Sequence, residues 1–314
     1  MRRSWTKSQN SKTRLASVNL KRFAPLALVT VAFGWGASFV LMKDSIETQP
    51  ILDFLGTRFL IATAVMVLAK PSVLRAIDGK LLRDGAILGL LLGGGYWTQT
   101  VGLQMTTAAI TGFLTGLYVV ITPLLTWLLF RHKIGPKVLV GVVLATGALA
   151  FISFNGFSVE GGQIWVIVCA ALFAAHIVGL SVWSPGRDAY ALTVVQLGTM
   201  AAMFCVTALF DGYQGPVGVS GWFTVVFTAV VGTAIAFLVQ TWAQGIMDAS
   251  KVAIYLTSEV VWAATIAVAV GQETLSTRTI LGGALMLVAM LVVEWPSRRK
   301  TDEPAVLPYE PMQH

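Results

Sequence analysis

The amino-acid sequence predicts an all-α integral membrane protein with ten transmembrane helices, arranged as two inverted five-helix repeats. Three observations lead to this fold class: long apolar stretches, an uneven distribution of basic residues and an internal repeat. Of the 314 residues, 56% are hydrophobic and 12% are charged, about half the charged share of a typical soluble domain. The mean hydropathy is +0.75. A soluble chain of this length cannot bury so much apolar surface in one core, so the composition favours a lipid bilayer as solvent.

Ten predominantly apolar stretches are long enough to form transmembrane helices, each of which needs about 20 residues. Charged or turn-forming segments such as "KDSIETQP" and "RHKIGPK" separate most of them. The predicted spans cover residues 23–42, 51–69, 85–104, 107–130, 137–154, 162–183, 190–210, 221–242, 250–270 and 279–295.

Lysine and arginine residues accumulate on one predicted side of the membrane. With a cytoplasmic N-terminus, all 22 lie on the inside except Lys43 and Arg278, which lie outside, and Arg58, which lies within a span. Because cytoplasmic loops carry an excess of Lys and Arg, this distribution supports ten spans with both termini inside. We therefore expect a multi-pass protein of the inner (plasma) membrane, with cytoplasmic tails at residues 1–22 and 296–314.

The sequence also aligns with itself at one constant offset. In this register "TQTVGLQMTTAAITGFLTGLY" (98–118) pairs with "VQTWAQGIMDASKVAIYLTSE" (239–259), and Gln99 pairs with Gln240. The gap-free register continues over about 50 residues, so the match indicates a duplicated unit rather than a local coincidence.

Each predicted unit, 23–154 and 155–295, contains five spans. Because five is an odd number, the second unit begins on the opposite side of the membrane from the first, and the two units are inverted. Inverted repeats are typical of transporters in which each side of the membrane reaches a central site in turn. The alternative is a single helical bundle without functional symmetry.

Several motifs occur in the order and spacing of one transporter family. They are "FGWGASFV" (33–40), "TRFLIATAV" (57–65), "AITGFLTGLYVVITPLLTWLLFRHKI" (109–134), "LTVVQLGTM" (192–200) and "SEVVWAATIAVAVGQETLSTRTILGGALMLVAMLV" (258–292). With these motifs the sequence resembles the drug/metabolite transporter superfamily, EamA type, over about residues 23–295. The resemblance implies a secondary active transporter that exports a small metabolite, amino acid or drug-like solute by alternating access. Its partners would be the solute, the lipid bilayer, and protons or an exchanged solute.

Glu259 is a single carboxylate near the middle of the ninth predicted span. A charge at bilayer depth costs roughly 3 kcal/mol on insertion scales, so such residues are rare and are functional candidates by default. Glu259 is therefore a candidate for proton coupling or for binding an amine of the solute. The alternative is an acid that only packs helices together.

Four further polar residues in apolar spans are candidates for solute binding or coupling. His176 can change its charge near neutral pH, and Gln99, Gln240 and Gln196 are uncharged groups that can line a cavity or bond across helices. Arg58 is interpreted as a structural charge, which either pairs with an acid or points towards the outer interface.

Aromatic residues in the spans offer a wall for an organic solute. Such a wall could be formed by Trp35, Tyr96, Tyr118, Tyr255 and Trp262, of which Trp35, Tyr118 and Trp262 are the preferred candidates for lining a cavity. Aromatic side chains also belong at membrane interfaces, which is the alternative for each of them.

The sequence gives no sign of a cofactor, a metal site or nucleic-acid binding. Cys169 and Cys205 lie in apolar runs without metal-ligand spacing, and no phosphate-binding loop or hydrolase motif is present. The chain is therefore not expected to be an enzyme. A lipid-modifying membrane enzyme and a non-transporting membrane scaffold stay open as alternative functions.

Overall fold

A computed structural model of the chain describes residues 2–106, 108–131, 134–153, 161–271 and 277–294. Within these residues the structure consists of helices joined by short connections, with no strand. The α-helices are α1 (Arg2–Thr48), α2 (Ile51–Ala69), α3 (Gly79–Met105), α4 (Ala108–Gly116), α5 (Tyr118–Phe130), α6 (Pro136–Ser153), α7 (Gly161–Trp183), α8 (Ala189–Asp211), α9 (Gly218–Ala229), α10 (Ala236–Gln244), α11 (Ala249–Leu256), α12 (Glu259–Ala269) and α13 (Thr277–Glu294).

Each of the ten predicted apolar stretches is helical in its described part, apart from turns at Leu117, at residues 257–258 and at Val270. Helix α2 has the predicted limits, whereas α1 begins at Arg2 and so extends through the predicted N-terminal tail. Three stretches are divided: the fourth into α4 and α5, the eighth into α9 and α10, and the ninth into α11 and α12. The predicted C-terminal tail, 296–314, lies outside the described residues.

Six helical segments in the described part of the chain are long and apolar enough to cross a membrane. They are Phe23–Thr48, Ile51–Ala69, Gly161–Trp183, Ala189–Val206, Gly218–Gln244 and Ala249–Ala269. Three shorter apolar helices accompany them: Leu114–Phe130, Pro136–Ala148 and Ile280–Ala289. The chain is thus a multi-pass membrane protein, and the count of ten spans stays a prediction.

Large apolar side chains cover much of the outer surface of the bundle. Leu68, Phe223, Val143 and Leu291 are all more than half exposed. Apolar patches of this extent are unfavourable in water, but they match the hydrocarbon interior of a bilayer.

The helices of the two halves interlock. The most extensive helix contacts join a helix of the first half to one of the second: α3 with α7 and α8, α2 with α8, α6 with α13, and α1 with α12. The α1–α12 contact has a counterpart in the repeat register, where α7 packs against α5. The two halves therefore contribute equivalent helices to equivalent contacts.

Buried apolar side chains form two clusters. One gathers residues of α2, α3 and α8, including Phe54, Phe59 and Phe204. The other gathers residues of α1, α5, α7 and α11. Trp35 and Phe173 are partly buried against both clusters, so these two aromatic side chains mark the space between them.

Glycine allows α1 to approach α12 closely. A Cβ atom on Gly36 would lie 2.7 Å from the backbone nitrogen of Ala263 and 2.9 Å from the carbonyl oxygen of Glu259. Small residues let membrane helices approach in this way. Gly36 therefore determines how close α1 lies to the helix that carries Glu259.

Candidate functional site

A cavity lies between the two halves of the bundle, and both halves line it. The cavity volume is about 40 Å³. That volume is well below the roughly 300–1,000 Å³ of typical small-molecule sites, so the cavity is narrow in this conformation. A solute larger than a few water molecules requires its walls to move apart.

The lining combines aromatic and aliphatic side chains with polar groups. The aromatic side chains are Trp35, Phe39, Tyr96, Tyr118, Phe173 and Phe237. The polar and charged side chains are Ser38, Arg58, Gln99, His176, Gln240 and Glu259. Apolar walls with a small number of placed polar groups are typical of sites for small organic molecules.

Six of the eight residues predicted to bind or couple lie in this lining: Trp35, Gln99, Tyr118, His176, Gln240 and Glu259. Gln196 lies behind the lining, where its Oε1 is 2.8 Å from His176 Nε2. Trp262 does not line the cavity; its ring packs edge-on against Phe33, with ring centroids 5.4 Å apart. The structure thus brings most of the predicted residues together and leaves Trp262 apart.

Two helix breaks border the site. In the first, between α4 and α5, the N–H of Leu117 donates to the carbonyl of Leu114 at 3.2 Å. In the second, between α11 and α12, the N–H of Ser258 donates to the carbonyl of Tyr255 at 3.2 Å. Both bonds reach back three residues, so each break is a tightened turn rather than an unwound segment. Leu117 and Ser258 occupy equivalent positions in the repeat register that pairs Gln99 with Gln240.

Each break presents one polar side chain to the cavity. Tyr118 is the first residue of α5, and Glu259 is the first residue of α12. Both are buried, and the Tyr118 hydroxyl and Glu259 Oε1 have no hydrogen-bond partner in the described structure. The two groups are close enough to interact electrostatically. Both breaks therefore place a buried polar group in the site, and these two groups interact with each other.

The internal repeat extends through the lining. Four pairs of lining residues are equivalent in the repeat register: Trp35 and His176, Tyr96 and Phe237, Gln99 and Gln240, and Tyr118 and Glu259. Only the glutamine pair was recognised from the sequence. The lining also contains Tyr96, which the sequence offered as a possible wall residue without preferring it, and Phe237, which was not predicted. Phe237 occupies the position equivalent to Tyr96 in the repeat register.

Arg58 is fully buried at the edge of the cavity, so it does not reach the outer interface. Its Nε donates to Thr233 Oγ1 at 2.8 Å, its Nη2 to the carbonyl of Gly232 at 3.2 Å, and its Nη1 to Met42 Sδ at 3.2 Å. The guanidinium carbon lies 5.0 Å from the centre of the Tyr96 ring. None of the carboxylates in the described chain forms an ion pair with Arg58. The prediction that Arg58 pairs with an acid or reaches the outer interface is therefore wrong, and neutral groups bind its guanidinium instead.

A π-helical segment, Val230–Ile235, joins α9 to α10 and holds Arg58. The carbonyl of Gly232 in this segment accepts hydrogen bonds from Arg58 and from Trp35 Nε1, the latter at 2.8 Å. The wider turn of a π-helix changes the backbone bonding of an α-helix, and such segments frequently occur at functional sites. Here it supplies an acceptor to two lining side chains.

His176 is fixed in position by Gln196. The amide nitrogen of Gln196 donates to the carbonyl of Leu192 at 3.2 Å, which leaves its Oε1 to face the imidazole. An amide oxygen only accepts, so His176 Nε2 carries the hydrogen, and Nδ1 of the neutral ring is an acceptor. Gln196 therefore orients His176 rather than contacting the cavity.

The two symmetry-related glutamines have different partners. Gln99 Nε2 donates to Thr115 Oγ1 at 3.2 Å, within the first half. Gln240 Nε2 donates to Gln244 Oε1 at 2.9 Å, and Gln240 Oε1 has no partner in the described structure. The second half thus presents a buried acceptor to the cavity beside Glu259.

No group of three or more His, Cys, Asp or Glu side chains within the described ranges is arranged to hold a metal ion. The two cysteines are free thiols, with Cys169 buried.

Comparisons with known proteins agree with this architecture. The chain is 30% identical over 272 residues to an uncharacterized transporter of Archaeoglobus fulgidus, across 86% of this chain and 85% of that protein. It is 26% identical over 226 residues to the uncharacterized transporter YetK of Bacillus subtilis, across 67% and 68% of the two chains. One crystal structure shares the fold with a TM-score of 0.71 at 19% identity, covering 86% of this chain and 96% of the other.

The family comparison accounts for the repeated architecture. The model of the EamA-like transporter family matches the chain twice, at residues 22–154 and at residues 161–295. The two matches contain the two helix breaks and, between them, every polar residue that lines the cavity. The chain belongs to the EamA-like transporter family, within the drug/metabolite transporter superfamily.

Proposed function

We propose that the chain is a secondary active transporter rather than a membrane enzyme, and that it exports a small metabolite, amino acid or drug-like solute. The observation that carries the proposal is the cavity whose walls come from both repeat units and both helix breaks. Discontinuous helices around a site between repeats are typical of transporters that work by alternating access. A proton gradient or an exchanged solute drives the cycle.

The proposed topology has ten spans in two inverted units. The protein lies in the inner (plasma) membrane, and both termini are in the cytoplasm. The distribution of Lys and Arg residues supports it. So does the exchange of helix partners, in which α1 packs against α12 as α7 packs against α5. Rocking of one unit against the other would open the cavity to each side in turn.

The proposed site consists of Glu259, His176, Trp35, Gln99, Tyr118 and Gln240, with Gln196 orienting His176. Glu259 is the central member because it is the only carboxylate among the lining residues. An acid in this position can bind a cationic group of the solute or exchange a proton with it during the cycle.

The proposal is tested by flux across a membrane. The purified full chain is reconstituted into proteoliposomes, and counterflow of labelled amino acids, nucleosides, sugars and amines is measured with and without an imposed pH gradient. We expect saturable counterflow of at least one solute class. Absence of flux for every class, from protein that remains folded in the vesicles, would contradict the proposal.

Glu259→Gln is the matched variant for this assay, and Glu47→Gln is its control because Glu47 is an exposed carboxylate outside the cavity. Glu259→Gln should reduce flux about tenfold or more and abolish its dependence on pH, whereas Glu47→Gln should leave both unchanged. Normal transport by Glu259→Gln with unchanged pH dependence would remove Glu259 from the mechanism.

The topology is tested by single cysteines in a background without Cys169 and Cys205. Ser72→Cys reports the loop between α2 and α3, and Val217→Cys reports the loop before α9; both positions are exposed. A membrane-impermeant thiol reagent should label Val217→Cys but not Ser72→Cys in intact cells. The reverse pattern would mean that the termini lie outside.

A further inference from the structure

The π-helical segment Val230–Ile235 has no counterpart in the first half of the chain. In the register that pairs Gln99 with Gln240, helices α9 and α10 are together equivalent to α3. Helix α3 runs as one α-helix from Gly79 to Met105, whereas the π-helical segment joins α9 to α10. The two halves therefore differ in their backbone at this position.

The pattern of buried residues identifies the difference. The first, second, fifth and sixth residues are buried both in 84–89 and in 224–229. Further along the helix, the first, second, fourth, fifth, eighth and ninth residues are buried both in 92–100 and in 233–241. Each part of the helix thus presents the same face to the protein interior in both halves.

The second half has one residue more between these two matching parts. Two residues, 90–91, connect them in α3, and three residues, 230–232, connect them in the second half. A π-turn closes its hydrogen bond over five residues rather than the four of an α-turn, so it can hold one extra residue without rotating the helix on either side. The π-helical segment therefore contains a one-residue insertion in the second repeat.

The inserted turn provides a backbone acceptor to which Arg58 and Trp35 both donate. This acceptor is the carbonyl of Gly232, which lies 3.2 Å from Arg58 Nη2 and 2.8 Å from Trp35 Nε1. The hydroxyl of Thr233 accepts from Arg58 Nε at 2.8 Å and donates to the carbonyl of Thr228, five residues back, at 2.8 Å. Arg58 thus bonds to the inserted turn twice, and Trp35 bonds to it once.

The inserted turn is tightly packed against α1 and Arg58. A Cβ atom on Gly232 would lie 2.5 Å from Ser38 Oγ and 3.4 Å from Arg58 Nη2. The guanidinium is also bound by the Tyr96 side chain and by Met42 Sδ. The position of the guanidinium relative to α1 is therefore well defined.

The second half contains an equivalent arrangement without an inserted turn. Arg58 is the eighth residue of α2, and Gln196 is the eighth residue of α8. Trp35 and His176 are equivalent in the repeat register, and Gln196 Oε1 contacts His176 Nε2 directly at 2.8 Å. In the first half the corresponding contact passes through the carbonyl of Gly232. In both halves, a polar residue of the second helix thus holds the ring that the first helix presents to the cavity.

We propose that Arg58 is a positioning residue, which fixes the indole of Trp35 in the cavity wall through the carbonyl of Gly232. It has the role in the first half that Gln196 has in the second, where Gln196 orients His176. The inserted residue makes this possible because it provides the shared acceptor. That the cavity is a transport site rests on the proposed function, whereas the positioning of Trp35 does not.

The N–H signal of the Trp35 indole tests the inference without any ligand. The full chain, labelled with nitrogen-15 and purified in detergent, contains ten tryptophans, and the signal of Trp35 is the one that Trp35→Phe removes. Arg58→Met replaces the guanidinium by an unbranched apolar side chain. It should shift the Trp35 signal and leave most other indole signals in place.

Arg75→Gln is the matched control, because Arg75 is exposed and lies outside the cavity; it should shift no indole signal. An unchanged Trp35 signal in folded Arg58→Met would overturn the inference. A shift spread over all the indole signals would also overturn it, because that result indicates a general loss of packing.

Deletion of Val231 tests the insertion itself. The helix should then run as a continuous α-helix with both faces kept, but Arg58 loses its acceptors, so the midpoint of thermal unfolding should fall. Adding Arg58→Met to the deletion should raise the midpoint again, because no buried guanidinium is left without acceptors. Folding of the double variant alone would be the strongest form of this rescue. Additive losses, or a double variant that does not fold, would contradict the inference.

Deletion of Leu91 is the matched control in α3, where there is no extra residue. It should rotate the residues that follow by about 100° and so abolish folding, with or without Arg58→Met. If the protein tolerates loss of Leu91 as well as loss of Val231, the second half contains no insertion.

Flux measurements separate this inference from the proposed function. If Arg58→Met shifts the Trp35 signal and rescues the deletion, but wild-type proteoliposomes carry no solute, the positioning role holds and the transport proposal is wrong. If the wild-type protein carries a solute but the Trp35 signal does not respond to Arg58→Met, the chain is a transporter and the positioning role is wrong.

Discussion

The two helix breaks that face the cavity share a backbone geometry but differ in chemistry. Each is a tightened turn at the same position of the repeat, followed by the first residue of a new helix. In the first half that residue is Tyr118, and in the second half it is Glu259. The repeated backbone thus forms a nearly symmetric space, and a single difference in residue type gives that space an acidic side.

The same contrast occurs at the other paired positions. Gln99 bonds within its own half, whereas Gln240 leaves its oxygen free for a ligand. Trp35 presents an indole where the second half presents the imidazole of His176. The two halves therefore share a backbone arrangement but differ in the side chains at equivalent positions. Mutations at these paired positions can test the contribution of each side chain separately.

The largest effect is expected from the pair Tyr118 and Glu259. Glu259→Gln should reduce counterflow to near the background of empty vesicles, because the only carboxylate of the lining is lost. Tyr118→Phe should reduce it by only about fivefold, because one neutral hydrogen bond contributes about 1 kcal/mol. Initial rates of counterflow at equal reconstituted protein measure the difference.

An equal effect of the two variants would mean that the charge at Glu259 has no special role. Monodisperse elution of both variants on size exclusion is the control for folding.

The next largest effect concerns the crossing of α1 and α12. Gly36→Ala should destabilise the protein by about 1–3 kcal/mol, because its Cβ would overlap backbone atoms of α12. Gly112→Ala is the matched control, since a Cβ there would meet its nearest neighbour, Val260 Cγ2, at an ordinary contact distance of 3.9 Å. Thermal unfolding in detergent compares the two variants. Equal stability would show that α1 and α12 are not in tight contact.

The glutamine pair should show a smaller effect on stability. Gln99→Leu and Gln240→Leu each remove one hydrogen bond between side chains, and such bonds within membranes average about 0.6 kcal/mol. Gln240→Leu should nevertheless weaken binding of a cationic solute more than Gln99→Leu, because only Gln240 has a free buried oxygen. Titration of both variants with the same ligand checks this order. The opposite order would place the acidic side in the first half of the chain.

The smallest effect is expected at Trp35. Trp35→Phe removes its hydrogen bond to the carbonyl of Gly232, but that carbonyl still accepts from Arg58. The loss in unfolding free energy should therefore be less than the roughly 0.6 kcal/mol that one side-chain hydrogen bond averages within membranes. A larger loss in thermal unfolding would mean that the π-helical segment depends on Trp35 rather than on Arg58.

The positions of the helices could be predicted because the thickness of the bilayer sets a minimum length of about 20 apolar residues for a spanning helix. The family resemblance could also be recognised from the sequence, because the motifs keep their order and spacing even where few individual residues are identical. Proline-containing turn sequences predicted the limits of α2 correctly: "TQP" precedes the helix and "KPS" follows it.

The details of the site were less accessible. The π-helical segment reads "VVGTAI", an ordinary apolar helix sequence, and its bonding partners Trp35 and Arg58 lie far away in the chain. Trp262 was predicted to line the cavity as an aromatic residue of a span, but its ring packs against Phe33 instead. Residue type identifies candidates, whereas tertiary packing decides which of them meet.

The interlocking of the two halves has a consequence for biosynthesis. Helix α6 begins at Pro136, but its main packing partner, α13, begins only at Thr277. At about 5–20 residues per second, the ribosome needs on the order of ten to thirty seconds to deliver that partner. During this interval the first half sits in the bilayer as an incomplete intermediate, with lipid covering the surfaces that the second half will later occupy. A chain interrupted at its midpoint therefore leaves a protein without its main helix contacts, not a smaller functional unit.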